Sequence, residues 1–212
     1  MNKLGWVLCF MLIGRAEVHA QTLQWGIKGG AGVSTLVGTG TSIEPKPLPL
    51  IGLVGGIYRI QPFRAGSPFS WQLEVLYSQL GHRLSHPSTN YSATLRYNYL
   101  SVPALLTTTY RHYFVVGGVQ ASYLVGVRER YTFQAPNATG QITNNNTDPN
   151  GLTRWDAALV AGVGYRWDNS IGLELRYLGS LNSIYPDRGG AQRAKPRNAA
   201  VQVYASYLLT KR

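Results

Sequence analysis

The residue types that perform acid–base and nucleophilic chemistry meet at one place in this sequence. His82, Ser85 and His86 lie close together, and Glu74 precedes them on the same segment. A serine, a histidine base and a carboxylate are the components of a hydrolase site. Nothing in their spacing fixes a mutual geometry, so a solvated polar segment is the preferred interpretation. A hydrolase is therefore kept only as the lowest-ranked alternative, and no catalytic residue is assigned.

Cofactor chemistry has no support in the sequence. Neither the ligand spacing of a metal site nor a phosphate-binding glycine loop occurs. The only cysteine is Cys9, so the rest of the chain has no disulfide framework and no thiolate metal site. We expect no cofactor, no metal and no enzymatic activity.

A second group of charged residues shares one face of the expected strands. In WDAALVAGVGYRW (155–167) and IGLELRYL (171–178), apolar residues alternate with small or charged ones. Alternation with a period of two indicates β-strands with two chemically different faces. The charges that fall on the less apolar face, here and further upstream, form a predicted lumen charge cluster: Lys28, Glu74, Arg166, Glu174 and Arg176.

Eight strands are predicted to position these charges. In chain order they are Thr22–Val33, Leu50–Ile60, Phe69–Leu80, Leu95–Tyr110, Tyr113–Phe133, Trp155–Trp167, Ile171–Leu178 and Ala199–Leu209. On the fifth strand, the alternation predicts that Val115, Val119, Tyr123, Val125 and Val127 point outward. Pro103 lacks an amide donor, so a bulge or a local break is expected near it.

Two tight turns set the predicted register. A two-residue turn at Arg111-His112 pairs Tyr110 with Tyr113, because the apolar faces then stay aligned. A three-residue turn at 168–170 pairs Trp167 with Ile171 and demands a left-handed residue near its end, a position for which Ser170 is a mediocre choice.

The connectors alternate in length along the chain. Ser34–Pro49, Gly81–Ala93, Gln134–Thr153 and Asn182–Asn198 are expected to be long loops, whereas Gln61–Pro68 and the two tight turns are short. An even strand number with short turns at one end and long loops at the other is typical of bacterial outer-membrane barrels. Charged residues are also too sparse in the strands to cover a soluble surface. The predicted fold class is therefore all-β, an eight-stranded antiparallel up-and-down transmembrane β-barrel.

A soluble barrel is the main alternative. A secreted eight-stranded calyx that binds a small apolar ligand has the same number of strands. Its apolar face would point inward and its charged face outward, which is the reverse of the arrangement expected here.

The N-terminus carries an export signal. Lys3 gives a short positive region, Leu4–Gly14 is apolar, and Val18-His19-Ala20 resembles a cleavage site. We expect residues 1–20 to be a cleaved signal peptide and residues 21–212 to be an outer-membrane β-barrel domain. The expected location is the outer membrane of a Gram-negative cell.

Several segments resemble a known family. LEVLYSQLG (73–81), YLSVP (99–103), LRYLGSLNSI (175–184) and the opening WGIKGGAGVSTL are similar, in order, to strand motifs of the PorT-like, "porin family" outer-membrane β-barrel domain. The resemblance covers essentially all of the chain after residue 20. It implies the barrel fold, the membrane location and an interaction with the barrel-insertion machinery. It implies no reaction or substrate.

Two expectations concern function. Inside a narrow barrel, opposite charges are expected to pair and side chains to fill the lumen, so that no wide pore remains. The basic segment that contains Arg188, Arg193, Lys195 and Arg197 is expected either to contact lipopolysaccharide phosphates or to be a solvated loop. The formal net charge of +11 does not indicate nucleic-acid binding in an exported protein, so outer-membrane lipid and lipopolysaccharide are the expected partners.

Overall fold

The computed structural model describes residues 23–38, 47–86, 91–135, 138–146, 151–185 and 195–210. The described chain is built from β-strands, and none of it forms a helix long and apolar enough to cross a membrane. The strands are β1 (Gln24–Val37), β2 (Leu48–Pro62), β3 (Phe69–His86), β4 (Tyr91–Tyr110), β5 (Tyr113–Ala135), β6 (Ala138–Asn146), β7 (Trp155–Arg166), β8 (Ile171–Ser180) and β9 (Arg197–Leu208).

Eight of these strands close into a ring. The sheet order β4-β3-β2-β1-β9-β8-β7-β5 is completed by pairing of β4 with β5, and each neighbouring pair is antiparallel. The eight-stranded antiparallel up-and-down barrel predicted from the sequence is therefore confirmed. Closure leaves no free strand edge at the level where all eight strands pair.

The ninth strand corrects one prediction. The Asn-rich segment Gln134–Thr153 was expected to be loop, yet β6 lies within it and pairs with β5 from Val127 to Ala135. Nearer the turn at 111–112, from Tyr113 to Tyr123, β5 pairs with β7. β6 therefore extends a hairpin above the ring and is not a member of the ring.

The polar segment Gly81–Ala93 was also assigned wrongly as a loop. β3 continues to His86 and β4 begins at Tyr91, and the two strands pair from end to end. Polar side chains form this strand extension because backbone pairing, and not burial of an apolar face, holds it together.

Both tight turns have the predicted register. Tyr110 pairs with Tyr113 across the turn at 111–112. In the other turn, the amide of Trp167 donates to the carbonyl of Ile171 at 2.8 Å. Ser170 adopts a left-handed conformation, with φ of 72°. A non-glycine residue with positive φ is uncommon, so this turn keeps its geometry despite an unfavourable residue.

The two faces of the barrel have opposite polarity. Apolar side chains between the strand ends point outward and are exposed, among them Leu53, Ile57, Val119, Leu159, Val163, Leu173 and Val203. Exposed aromatic side chains lie near the short-turn end (Trp25, Phe69, Trp71, Tyr110, Tyr113, Trp167, Tyr207) and near the long-loop end (Tyr77, Trp155, Tyr177). Paired aromatic girdles around an apolar band are typical of membrane barrels.

The height of the apolar band matches a bilayer. Ten residues separate Leu100 from Tyr110 on β4, which spans about 26 Å at about 3.4 Å per residue and a strand tilt of about 40°. A soluble calyx would place these apolar side chains inside, so the alternative of a secreted calyx is wrong.

Two irregularities lie in the ladders that β4 forms with its neighbours. The ladder between β3 and β4 skips the positions beside Pro103, resuming at Leu73↔Ala104 and Leu76↔Ser101, which confirms the predicted local break. A second irregularity lies between Asn98 and Tyr99 in the β4–β5 register, where β5 contains one extra residue, Val125. This bulge reverses the alternation, because one added residue turns each later side chain to the opposite face.

The bulge overturns one outward assignment. Val127 was predicted to point outward, but it is buried in the lumen at 3 % exposure. Its neighbour Arg128 is exposed instead.

Candidate functional site: the barrel lumen

Four of the five predicted lumen charges meet inside the barrel. Lys28 projects from β1, Glu74 from β3, and Glu174 and Arg176 from β8. All four are buried, and Arg176 has no exposed surface. Alternation places each of them on the inner face, and closure of the ring then brings them together. We call these four residues the ion-pair ring.

Each carboxylate of the ring contacts both cations. Lys28 Nζ lies 2.8 Å from Glu74 Oε1 and 2.9 Å from Glu174 Oε2. Arg176 donates from Nη1 and Nη2 to Glu74 at 2.8 and 2.9 Å, and from Nε to Glu174 at 2.7 Å. Two positive and two negative charges thus form a closed, neutral set of charge-assisted hydrogen bonds.

Aromatic and amide groups complete the surroundings of the ring. Lys28 Nζ lies 5.1 Å from the centre of the Tyr58 ring and 5.0 Å from that of Tyr204. The Arg176 guanidinium lies 4.9 Å from the Tyr204 ring, and Gln72 Nε2 donates to Glu74. Cation–π contacts strengthen when the cation is desolvated, so these rings replace part of the hydration that burial removes.

The ion-pair ring spans the full width of the lumen. In the order of the ring, β3 and β8 are four positions apart among eight strands, so they face each other across the barrel. The direct contacts between Glu74 and Arg176 therefore join opposite walls. An eight-stranded barrel has an interior just wide enough for side chains to fill, and these contacts fill it.

Arg166 is the fifth predicted member, and the contacts of the ring do not include it. It lies at the short-turn end of β7, opposite Gly172. Its guanidinium sits 5.1 Å from the centre of the Phe114 ring, and it is only partly buried.

A second polar group lies nearer the long-loop end of the lumen. We call His82, Tyr97, Tyr99, Asp156 and Asn198 the outer polar cluster; all five are buried. Asn198 Nδ2 donates to the Tyr99 hydroxyl at 3.3 Å, and Ser180 Oγ donates to Asp156 Oδ2. Within the described part of the chain, no hydrogen-bond partner is present for Asp156 Oδ1, Asn198 Oδ1, His82 Nδ1 or the Tyr97 hydroxyl.

Apolar side chains lie among these polar groups. Leu80, Leu124, Val127 and Leu178 belong to one buried cluster that also includes Tyr97 and Tyr99. Ile184, from the segment that follows β8, is buried in the same cluster. This apolar layer adds a second obstruction of the lumen, beyond the ion-pair ring.

The hydrolase constellation does not assemble. Because β3 continues to His86, His82 and Ser85 have opposite parity on one strand: His82 is buried and Ser85 is exposed. Glu74 lies eight residues from His82 along the strand, about 26 Å away at about 3.3 Å per residue, and it is held by Lys28 and Arg176. The side chain of His86 lies outside what the structure describes.

Burial changes the acid–base behaviour of His82. This residue lies on the extension of β3 beyond the girdle residue Tyr77, with its ring 5.9 Å from that of Tyr97. Removal from water disfavours the imidazolium and lowers the pKa of His82 to about 4. His82 is therefore neutral at pH 7.

The basic segment is described only in part. Arg188 and Arg193 lie outside the described residues. Lys195 and Arg197 are exposed where the chain enters β9.

Sequence reasoning missed most of the outer polar cluster. Asp156 falls on the less apolar face of the predicted strand 155–167, but it was not among the predicted lumen charges. Tyr97 and Tyr99 lie within the predicted strand Leu95–Tyr110, and Asn198 ends the predicted loop Asn182–Asn198. The available signal was position in the inward–outward alternation, because each of these residues is in phase with buried neighbours on its own strand.

The fold and the lumen together define an outer-membrane β-barrel. Residues 19–185 match the family described as outer membrane protein beta-barrel domain, and the chain belongs to this family. Its location is the outer membrane. No curated protein sequence matches the chain.

The chain is also similar to solved structures at low sequence identity. The Yersinia pestis attachment invasion locus protein Ail is 11 % identical, with 88 % of this chain and 98 % of that chain covered and a TM-score of 0.44. Neisserial surface protein A is 13 % identical, with 86 % and 96 % covered and a TM-score of 0.44. The N-terminal barrel domain of Pseudomonas aeruginosa OprF is 11 % identical, with 86 % and 97 % covered and a TM-score of 0.31. Similarity at these values carries no inference about function.

Proposed function

We propose that this protein is a closed outer-membrane barrel whose role is structural or lies at the cell surface, and not a channel or an enzyme. The observation that carries this proposal is the contact of Glu74 with Arg176 across the diameter of the lumen. A hydrated pore requires a continuous path of water, and direct ion pairs between opposite walls interrupt it at this level.

The apolar layer supports the same proposal. Tyr99, Leu124 and Leu178 are at most 2 % exposed, so a solute that enters from the long-loop end meets packed side chains before it reaches the ion-pair ring. Neither layer presents an accessible nucleophile with a base beside it. The function is therefore assigned to the surfaces of the barrel.

Conductance in planar bilayers tests this proposal. The purified protein is expected to give no large, stable conductance steps, whereas a general porin inserted in the same bilayer serves as the positive control. Stable steps from the protein would show an open path and would reject the closed barrel.

We further propose export by a cleaved signal peptide and a PorT-like affiliation within the family. The support is the charged, apolar and cleavage-site pattern of residues 1–20 and the strand motifs at 73–81, 99–103 and 175–184. Mass spectrometry of protein extracted from the outer membrane is expected to find Gln21 at the N-terminus. A retained N-terminal segment would contradict the cleavage. The barrel-insertion machinery is the partner that export to this membrane entails.

The basic segment is proposed to contact lipopolysaccharide phosphates. Lys195 and Arg197 are exposed at the long-loop end, which faces the outside in barrels of this type. Arginine forks match phosphate oxygens. Replacement of Arg188, Arg193, Lys195 and Arg197 by Gln is expected to weaken lipopolysaccharide binding at low salt, and the difference should shrink as ionic strength rises. Equal binding at low salt would leave the segment as solvated surface.

A further inference from the structure

A carboxylate lies at the outer mouth of the lumen. Glu129 is in phase with buried Val127 on β5, so its side chain is on the inner face of that strand. Glu129 is only partly buried, whereas its chain neighbours Arg128 and Arg130 are exposed on the opposite face. Within the described part of the chain, Glu129 forms no ion pair. A negative charge therefore stands at the level where side chains of the inner face begin to reach solvent.

Two tyrosines flank this carboxylate on the β4–β5 ladder. Tyr131, two residues further along β5, donates from its hydroxyl to Glu129 Oε2 at 2.8 Å. Leu95 on β4 is the ladder partner of Glu129, and Tyr97 pairs with Val127 one rung nearer the bilayer. Diagonal neighbours on one face of a ladder are about 7–8 Å apart, within reach of aromatic and long side chains. Tyr97, Glu129 and Tyr131 therefore occupy three successive rungs of the same inner face.

A third tyrosine, Tyr185, approaches from the segment that follows β8. The preceding residue is held by both adjoining segments, because the Ile184 amide donates to the Pro196 carbonyl at 3.0 Å and the Ile184 carbonyl accepts from the Thr153 amide at 2.9 Å. Burial raises the pKa of Tyr185, and the nearby charge of Glu129 raises it further. Tyr185 is nevertheless 48 % exposed, so it forms the rim that faces solvent. We give the name mouth site to Tyr97, Glu129, Tyr131 and Tyr185.

The Tyr97 hydroxyl is the innermost polar group of the mouth site. Tyr97 lies on the extension of β4 beyond the apolar band and is 1 % exposed, and its hydroxyl has no hydrogen-bond partner in the described chain. Burial raises the pKa of Tyr97, and the nearby Tyr185, Tyr99 and Glu129 add to the increase. This is the behaviour of a hydroxyl that is directed toward the carboxylate. A buried hydroxyl without a partner retains a desolvation cost, which a bound ligand offsets.

The chemistry of the mouth site suits a primary ammonium group. Tyr131 engages only Oε2 of Glu129, so Oε1 is available as a charged acceptor, and the hydroxyls of Tyr97 and Tyr185 are further acceptors. A primary ammonium has three N–H donors, and tyrosine rings attract a cation through their faces. We propose that the mouth site binds the primary ammonium of an alkylamine, with the nitrogen beside Glu129 and the alkyl chain against Leu95. An anion is repelled by Glu129, and a quaternary ammonium lacks the N–H donors.

The mouth site goes beyond the proposed function and does not depend on it. It lies at the outer edge of the apolar layer, on the side that faces away from the ion-pair ring, so an occupant neither requires nor opens a pore. The basic segment is proposed to bind anions, whereas the mouth site binds a cation. Conductance, lipopolysaccharide binding and amine binding are separate measurements, and each proposal fails by its own.

Calorimetric titration with butylamine, which is protonated at pH 7, tests the mouth site. The barrel is purified from the outer membrane into a zwitterionic detergent and is expected to bind one butylammonium at low salt. Butanol, which lacks the charge, and tetramethylammonium, which lacks the N–H donors, are expected to bind several-fold more weakly. Glu129→Gln is expected to weaken butylammonium binding by about tenfold, because a hydrogen bond between charged groups is lost. Tyr97→Phe is expected to weaken it by a smaller factor.

A matched variant separates a built site from general charge attraction. Asp168→Asn removes the same charge at the opposite end of the barrel, where the Asp168 side chain is 96 % exposed, and it is expected to keep the affinity for butylammonium. Gel mobility checks that each variant is a folded barrel. If Tyr97→Phe does not fold, Tyr185→Phe removes the hydroxyl at the exposed rim and is expected to weaken binding instead.

Three results would overturn the proposal: unchanged binding by Glu129→Gln, an equal loss in Asp168→Asn, or equal affinity for tetramethylammonium. A second titration, with a capped peptide that contains a single lysine, distinguishes the source of the ammonium. Tighter binding of this peptide than of butylammonium supports a lysine side chain of a protein as the ligand, and weaker binding supports a free alkylamine.

Discussion

The ion-pair ring and the outer polar cluster bury charged and polar side chains inside the same barrel, but they satisfy these groups to different extents. In the ring, both carboxylates contact both cations. In the outer polar cluster, Asp156 has one carboxylate oxygen without a partner in the described chain. The ring also joins opposite walls, whereas the cluster lies among apolar side chains.

The difference shows where polar groups stabilise this barrel and where they cost stability. A buried pair with its hydrogen bonds complete resists removal of any member, because removal leaves an uncompensated charge. A buried group without a partner retains its full desolvation cost. Mutations of similar chemistry should therefore have opposite effects at the two places.

Removal of one carboxylate from the ring should give the largest effect. Glu74→Ala leaves Lys28 and Arg176 with only Glu174 as a buried counter-charge, and it is expected to lower the free energy of unfolding by about 3–5 kcal/mol. Denaturant unfolding in detergent micelles measures this change. Lys28→Met combined with Glu74→Gln keeps the charge balance and should cost less than Glu74→Ala alone. An equal or larger cost for the balanced pair would contradict a ring of compensated charges.

Acid should selectively weaken the outer polar cluster through His82. Its folded-state pKa is about 4, below the value of about 6.5 in the unfolded chain. The unfolded state therefore binds the proton first, so stability is complete above about pH 6.5 and declines as the pH falls toward 4, by up to about 3 kcal/mol. Unfolding curves from pH 8 to pH 4 measure the loss. His82→Asn should have a shallower decline over this range, and an identical decline would show that other groups are responsible.

Neutralising Asp156 should change the free energy of unfolding in the opposite direction to neutralising a carboxylate of the ion-pair ring. Asp156→Asn keeps an oxygen for Ser180 and removes a buried charge that no described cation compensates. We expect stability at pH 8 to stay constant or to rise by about 1 kcal/mol. Unfolding midpoints of this variant and of Glu174→Gln provide the comparison. Destabilisation of both to a similar degree would show that the two regions do not differ in this respect.

Two buried tyrosine hydroxyls should show the smallest difference in stability between the ion-pair ring and the outer polar cluster. Tyr204 and Tyr97 are each 1 % exposed, but among the described residues only the Tyr204 hydroxyl has a hydrogen-bond partner, donating to Gln202 Oε1 at 2.7 Å. Tyr204→Phe is expected to lower the free energy of unfolding by about 1 kcal/mol, whereas Tyr97→Phe should leave it unchanged. Thermal unfolding of the two variants measures both changes. The reverse order would contradict the assignment of satisfied and unsatisfied regions.

Much of the fold followed from local sequence pattern. Alternation located all eight strands of the ring, and the requirement that apolar faces align gave the register of the turns at 111–112 and 168–170. The ends of β3 and β4 at the long-loop end were harder to predict from the sequence. Their extensions are polar, and only backbone pairing between the two strands defines them. β6 was missed for the same reason.

The sequence predicted which charged residues face the lumen, but it did not predict which of them contact one another. Parity alone gave Lys28, Glu74, Glu174 and Arg176, since an isolated charge on an apolar wall is costly in lipid. Parity could not show that Arg166 stays at the end of the lumen while the other four meet. That distinction depends on the relative height of strands that are far apart in the chain.

The sequence by itself determined the strand order, the polarity of the two faces and the inward position of the lumen charges, because each is a property of neighbouring residues along one strand. Only the tertiary structure decided three further features. Closure of the ring put Glu74 and Arg176 on facing walls within hydrogen-bonding distance. The bulge at Val125 turned Val127 inward and Arg128 outward. Pairing along the full length of β3 put His82 and Ser85 on opposite faces. Each of these depends on how strands register against one another in space, and a period of two within one strand does not contain that information.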